Sequence, residues 1–261
     1  MTGNSQGLVL QPRDRRLLEE LAIMRVIDRE QAKVVAGFGS TTRVNARLLR
    51  LTQVGLLKRF FTGTTAGGAK ALYALSLQGA RAIGVPLRGP QRRRDEAIIA
   101  DFFVEHQLAV NEVYCRLKFR ALPLGIFFRR WLAFSEPVTQ GLKLIPDGYV
   151  ELGTPAGTLG AFLEVDLGTE SLTVWKEKVR QYLQLAVSGE FKRRLGEERF
   201  RVLVIAHSER RLHSIRQTVA TITDKLFWFA NQRTAQEKDF FGSIWFRPKS
   251  NSTERLVKEL L

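Results

Sequence analysis

The sequence predicts an α/β protein overall, built as an N-terminal winged helix-turn-helix followed by an α/β domain with a mixed sheet. Three observations carry this. Residues 12–84 place three amphipathic helical patterns ahead of two β-rich runs flanking a Thr/Gly-rich tip. Beyond residue 95, helical and strand patterns alternate, and Phe200-Arg-Val-Leu-Val-Ile-Ala206 is the nearly continuous apolar run of a strand buried inside a sheet. Between the two lies Val85 to Arg94, whose prolines, glycine and four arginines interrupt periodicity on both sides and read as a basic linker.

The elements follow in order. Pro12 opens a helix with Leu17, Leu18, Leu21 and Met24 at helical spacing. Asp28 caps a short helix over Arg29–Ala36 with Val34 and Val35 inward, and Gly37-Phe-Gly39 makes the turn. Ser40 or Thr41 then caps a third helix through Val54 that ends at Gly55. Leu56–Phe61 and Ala71–Leu75 are strands around a wing tip at Thr62–Gly68, and Ser76–Ile83 is a closing helix. After the linker come a helix over Asp95–Leu117, strands from the 140s to 166, a helix over Ser171–Val187, the buried strand at 200–206, a helix over Glu209–Asn231 and a strand at Ser243–Phe246. The domains expected are therefore 1–84, the linker 85–94, 95–250, and a C-terminal tail 251–261.

Net charge is +15, and its distribution points to a partner: residues 1–94 carry +12, from 17 Lys+Arg against 5 Asp+Glu, and the rest only +3. A surplus confined to the first third is the footprint of a polyanion, with double-stranded DNA ahead of membrane because no strongly amphipathic Lys/Trp helix accompanies it. On the third helix Val44, Leu48 and Leu51 form a packing stripe, and Arg43, Arg47 and Arg50 repeat its spacing one residue earlier. This makes Thr42, Arg43, Asn45, Arg47 and Arg50 the expected base- and phosphate-contacting residues, with Lys58, Arg59 and Lys70 clamping phosphate.

There is no run of eighteen apolar residues and no charged-then-apolar leader, so a soluble, cytoplasmic protein is expected. Cys115 is the single cysteine and reads as a buried thiol; with His106, His207 and His213 it offers no zinc spacing. Trp131, Trp175, Trp228 and Trp245 are scattered and read as core.

The chemistry concentrates in residues 146–166. Asp147 lies in Ile-Pro-Asp-Gly-Tyr-Val, and Glu164 and Asp166 share one face of Gly-Ala-Phe-Leu-Glu-Val-Asp with Phe162, opposite Leu163 and Val165. Carboxylates in such a setting are costly unless they meet a cation, and Asp147, Glu164 and Asp166 are candidate ligands for Mg²⁺ or Mn²⁺. The alternative is a solvated strand margin paired with Lys or Arg.

The pattern Pro146-Asp147, then Glu164-Val-Asp166, then a helix resembles the PD-(D/E)xK nuclease superfamily, with Asp where its motif carries Lys. Over most of the chain, His106-Gln-Leu-Ala-Val-Asn-Glu-Val113, Pro146-Asp147-Gly148 and Glu164-Val-Asp166-Leu-Gly168-Thr169-Glu170, followed by Lys178 and Tyr182, resemble the replication-relaxation family of bacterial mobile elements. That resemblance implies a winged helix joined to a restriction-endonuclease-like domain, working in plasmid or mobile-element DNA replication, relaxation or transfer.

Two roles stay open. One is a metal-dependent endonuclease or nickase with Asp147, Glu164 and Asp166 as ligands or base and Lys178 as the displaced catalytic lysine; Lys176 is its local alternative, and Glu96 or Glu112 a further upstream carboxylate. The other is a non-catalytic DNA-binding adaptor or transcriptional regulator whose nuclease-like domain makes protein contacts. Expected partners are duplex DNA and other mobile-element replication or transfer proteins, and the reading admits a homodimer.

Overall fold

The computed structural model describes residues 8–63, 68–87 and 97–257, for 97–102 the backbone alone. Residues 1–7, wing-tip residues 64–67, residues 88–96 with most of the linker and Glu96, and tail residues 258–261 lie outside the described residues. Two compact units divide the chain, Met1–Phe119 and Arg120–Leu261.

The first unit runs α1 (Pro12–Met24), β1 (Val26–Asp28), α2 (Arg29–Ala36), α3 (Thr41–Gln53), β2 (Leu57–Gly63), β3 (Ala69–Leu75), α4 (Leu77–Ile83) and α5 (Ala97–Phe119). Side-chain caps fix the helix starts, because the first backbone N–H groups of a helix need acceptors. Asp28 accepts from Gln31 N, Ser40 from Arg43 N and Ser76 from Gly79 N. Strand β3 lies between β1 and β2, antiparallel to both. Leu17, Leu21, Val35, Val44, Leu48 and Leu51 are buried, and Val34 is half-buried. Three helices with a β2–β3 hairpin, closed by the short strand β1, form the winged helix-turn-helix that the spacing predicts.

The domain boundary differs from the expected one at residue 94: α5 packs on the winged helix and belongs to the first unit. Val104 joins Val26 and Leu72 in one apolar cluster. Gln31 Nε2 donates to the Leu108 carbonyl at 2.9 Å. Asn111, buried, donates to the carbonyls of Met24 and Val26 at 3.1 and 2.6 Å, satisfying backbone acceptors beside the short strand β1. Buried Glu20 accepts from Tyr114 Oη at 2.5 Å and Lys118 Nζ at 2.6 Å. These bonds draw the helix to its N-terminal neighbour, and sequence periodicity cannot show which neighbour a helix chooses.

The second unit runs β4 (Phe127–Leu132), β5 (Gly148–Thr154), β6 (Gly157–Asp166), α6 (Leu172–Val187), α7 (Glu190–Leu195), β7 (Phe200–Ala206), α8 (Glu209–Ala220), β8 (Phe227–Asn231), α9 (Gln232–Glu237), β9 (Ser243–Phe246) and β10 (Thr253–Arg255). Among the described residues they make a seven-stranded sheet in the order β10-β9-β8-β7-β6-β5-β4. It is mixed, as expected: β6, β7 and β8 are parallel and the outer pairings antiparallel.

One expected helix is corrected. Glu209–Asn231 breaks after Ala220, and Phe227-Trp-Phe-Ala-Asn231 is a strand, because aromatic residues fit a buried pleat better than a helix surface. On one sheet face Phe162, Val202, Val204, Phe227 and Phe229 pack with Trp175, Val179 and Tyr182 of α6 and with Leu212 and Ile215 of α8. Each such buried side chain contributes about 1.5–3 kcal/mol, so this layer fixes where α6 and α8 begin.

The α5 contacts generate a prediction. Residues 1–119 expressed alone should melt cooperatively, whereas residues 1–94, which lose the buried Val104 and the α5 partners of Gln31 and Glu20, should be several kcal/mol less stable, from about 1.5–3 kcal/mol for a buried apolar side chain and about 1 kcal/mol for each hydrogen bond. Circular-dichroism melts of the two fragments check this, and equal stability would contradict the α5 assignment.

Candidate functional site

The structure offers two candidate surfaces, one in each unit. In the first, Ser40 caps α3 so that Thr42, Arg43, Asn45 and Arg50 stand exposed on one side while Val44, Leu48 and Leu51 are buried on the other. Neither Arg43 nor Arg50 makes an ion pair among the described residues. Lys58 is exposed on β2, as is Arg59, whose guanidinium stacks 5.3 Å from the Phe61 ring centre.

Arg47 departs from this set. Its guanidinium forks the carboxylate of Asp14, with Nε to Oδ1 at 2.7 Å and Nη2 to Oδ2, and Nη2 also donates to the Val9 carbonyl at 3.1 Å. Asp14 is fully buried and also accepts from Gln11 N at 2.7 Å. Arg47 therefore ties α3 to the start of α1 and is not free to meet DNA; its acidic partner comes from another helix rather than from the next turn. Lys70 is also engaged, by the α2 cap Asp28 at 2.6 Å.

In the second unit, the entry to β5 and the C-terminal half of β6 bring Asp147 and Glu164 side by side. Asp147 Oδ2 accepts from Val165 N at 2.6 Å, a side-chain rung that continues the β5–β6 ladder. Glu164 is buried at 1% exposure, facing α6. Its Oε2 accepts from Lys178 Nζ at 2.8 Å and its Oε1 from Tyr182 Oη at 2.6 Å. Lys178 also pairs with Glu170 at 2.7 Å. Lys178 and Tyr182 sit one turn apart on α6, so both reach back over the strand, whereas Lys176 points to solvent.

Asp166, two residues on, faces the same way but belongs to a different pair. Arg211 of α8 grips it with Nε and Nη2, both at 2.7 Å, Trp175 Nε1 donates at 2.8 Å, and Gly168 N donates at 2.8 Å. Arg211 also binds the Glu170 carbonyl, fixing the turn that carries Glu170. Gly168 sits at φ +94, and a Cβ there would come within 2.8 Å of the His207 ring, so the turn requires glycine on both counts.

Electrostatics follows from this burial. Burial lifts the Glu164 carboxyl to about 7, with Lys178 and Tyr182 drawing it back. For Lys178 burial alone would favour the neutral amine, but the charges of Glu164, Glu170 and Asp147 prevail and hold the ammonium well above the usual lysine range. Burial and the Glu164 charge keep Tyr182 protonated. For Asp166, burial pushes up while Arg211, Trp175 and Gly168 pull down, and the carboxyl ends below its ordinary range. Glu164 thus differs from Asp166 in direction: burial raises its carboxyl, whereas the donors around Asp166 lower that one.

The three carboxylates expected as a ligand set are not arranged as one. Among the described residues no group of three or more His, Cys, Asp or Glu side chains could hold a metal ion. Asp166 is taken by Arg211, both Glu164 oxygens carry hydrogen bonds, and the Lys178 ammonium stands beside Glu164 where a cation would bind. The donors as held do not fit Mg²⁺ or Mn²⁺.

Glu112 and half-buried His106 lie on α5 in the first unit. Cys115 is buried. Sequence reasoning missed two partners, Glu170, which closes the Glu-x-Asp-x-Gly-Thr-Glu string, and Arg211, which lies 45 residues from Asp166 and has no local signal.

The raised Glu164 carboxyl gives a sign to pH dependence. Its ordinary value is 4.5 and its folded value about 7, so the folded chain holds this proton more firmly. The group's stabilising contribution is fully present below about 4.5 and lost as pH rises through about 7. Glu164→Gln should flatten stability across that window, removing the decline with rising pH that the parent shows. Urea melts of both forms at several pH values check this, and parallel profiles would contradict it.

Comparison with known proteins comes to three findings. No curated protein matches the chain. Among solved structures, Bacillus subtilis PadR in complex with operator DNA matches at 15% identity and a TM-score of 0.25, over 42% of this chain and 69% of that one, a likeness too slight to establish a shared fold. The model of the replication-relaxation family matches residues 16–198, which spans the winged helix, α5 and the carboxylate centre through α7. The chain belongs to the replication-relaxation family.

Proposed function

We propose that this is a DNA-binding protein of a plasmid or other mobile element, acting in DNA replication, relaxation or transfer through contact of its winged helix with duplex DNA. The observation that carries this is the outer face of α3, where Thr42, Arg43, Asn45 and Arg50 are exposed and the two arginines have no ion-pair partner among the described residues. Arginine in that position matches guanine and phosphate acceptors bidentately, and Asn matches adenine. Family membership and the +12 surplus of residues 1–94 support the same reading. No helix among the described residues is long and apolar enough to cross a membrane.

For the second unit, the geometry favours an adaptor over a nuclease. The nuclease reading draws on one observation, the meeting of Asp147, Glu164 and Lys178, which reproduces the charges of a PD-(D/E)xK centre with its lysine supplied from the next helix. Against it, Glu164 is already engaged by Lys178 and Tyr182, and Asp166 by Arg211. A centre in which Glu164 is paired with Lys178 and Asp166 with Arg211 braces the sheet against α6 and α8 and leaves the unit's surface to contact other proteins of the same DNA transaction.

Two measurements test the proposal. Arg43→Glu with Arg50→Glu should lower the affinity of the full chain for duplex DNA at least about 100-fold and reduce the log-log salt slope by about 0.9 for each phosphate no longer held. Unchanged fluorescence anisotropy titrations would remove α3 as the reading helix. The purified chain should leave supercoiled plasmid intact with Mg²⁺ or Mn²⁺, and nicking that Asp147→Ala and Lys178→Ala both abolish would replace the adaptor with an enzyme.

A further inference from the structure

On the sheet face opposite Glu164, β7 sends Arg201 outward between Phe200 and Val202, which point to the helical layer. Register pairs Arg201 with Ala161 and Phe200 with Gly160, so this position lies where β6 and β7 begin, away from the carboxylates near their ends. A cleft of about 470 Å³ opens there, lined by Thr154, Thr158, Gly160, Arg199, Arg201 and Leu256 among others. Arg199 is exposed at its mouth. Arg129, on the neighbouring edge strand, donates to Thr158 Oγ1 at 2.6 Å and adds a third cation to the rim.

Arg201 is held in an unusual setting for a free cation. It is half-buried, its guanidinium stacks 4.4 Å from the ring centre of Trp228, and the guanidinium of Arg247 stacks on the same ring at the same distance. Arg201 Nη1 donates to the Leu256 carbonyl, and Arg247 Nη2 to the Asp224 carbonyl at 3.0 Å. Among the described residues neither arginine makes an ion pair; Glu254 lends favourable charge to both, and Asp224 to Arg247, from beyond ion-pair distance. Burial, then the charge of Arg247, lowers the proton affinity of Arg201, and burial does the same for Arg247. Two guanidiniums preorganised on one indole, partly stripped of water and with carboxylates only beyond ion-pair distance, leave room for an anion.

We propose that this cleft is a second nucleic-acid contact, in which Arg199 and Arg201 bind the phosphodiester backbone while the Trp228 ring and the Leu256 carbonyl hold Arg201 in place. The inference rests on the DNA-binding reading above and extends it to the second unit. A phosphodiester is favoured over an acidic peptide because guanidinium forks match phosphate oxygens bidentately and the chain's other cationic face suits the same polymer. Binding here would be independent of sequence and strongly salt-dependent, as contacts to backbone are.

The test uses the full chain and a labelled duplex in anisotropy titrations over a range of salt. Arg199→Ser with Arg201→Met should weaken binding about tenfold or more. It should also lower the log-log salt slope by about 1.8, two phosphates at about 0.9 each. Arg199→Glu, an exposed change that leaves the Trp228 stack intact, should weaken binding in the same direction even if the double variant folds poorly. Wild-type affinity and slope in a folded Arg199→Glu chain would overturn the proposal, as would displacement of the duplex by polyglutamate as readily as by unlabelled DNA. If Arg43→Glu with Arg50→Glu weakens binding while the Arg199 variants do not, the cleft fails and the winged-helix reading stands.

Discussion

Two carboxylates leaving the same face of β6 set the terms for the second unit. Glu164 and Asp166 point into the layer between the sheet and its helices, where an unpaired charge would cost several kcal/mol, on the order of the penalty for any ion stripped of water. Each is answered by a cation from a different helix, Lys178 of α6 and Arg211 of α8, with Tyr182 and Trp175 supplying further donors. The pairs specify where both helices sit along the strand, because a one-residue slip of β6 would turn both carboxylates to the opposite face. The turn after β6 obeys the same constraint: Asp166 holds Gly168 N, Arg211 holds the Glu170 carbonyl, and Glu170 returns to Lys178.

An analogous division of charge shapes the winged helix. Arg43, Arg47 and Arg50 share a helical spacing, yet Arg47 turns inward to buried Asp14 while the other two stay exposed. One member of the stripe holds α3 against α1, and the others are left to meet a partner. Arg47→Met is accordingly a stability variant, and a loss of DNA binding in it would say little about which residues touch DNA.

How much of this is legible in the sequence depends on range. Local signals are reliable: Asp28 and Ser40 cap the helices they precede, and alternation in β6 places Glu164 and Asp166 on one face with Phe162. Lys178 and Tyr182, four residues apart, share the side of α6 facing the strand, as helical period requires. Long-range choices are not legible. Nothing local reveals that Asp14 waits for Arg47, that Arg211 claims Asp166, or that α5 takes Glu20, Asn111 and Val104 into the winged helix. The strand at 227–231 reads as part of the preceding helix because a short aromatic run fits either period until its neighbours are known.

The central claim is that Glu164 and Lys178 form a closed, mutually dependent pair rather than a vacant ligand set. A double-mutant cycle with Glu164→Gln, Lys178→Met and the combined variant measures that dependence directly from unfolding free energies. The account predicts a coupling of about 2–3 kcal/mol, with the double variant more stable than Lys178→Met alone because no buried charge is left without a partner. Additive effects of the two substitutions, with a coupling near zero, would contradict it.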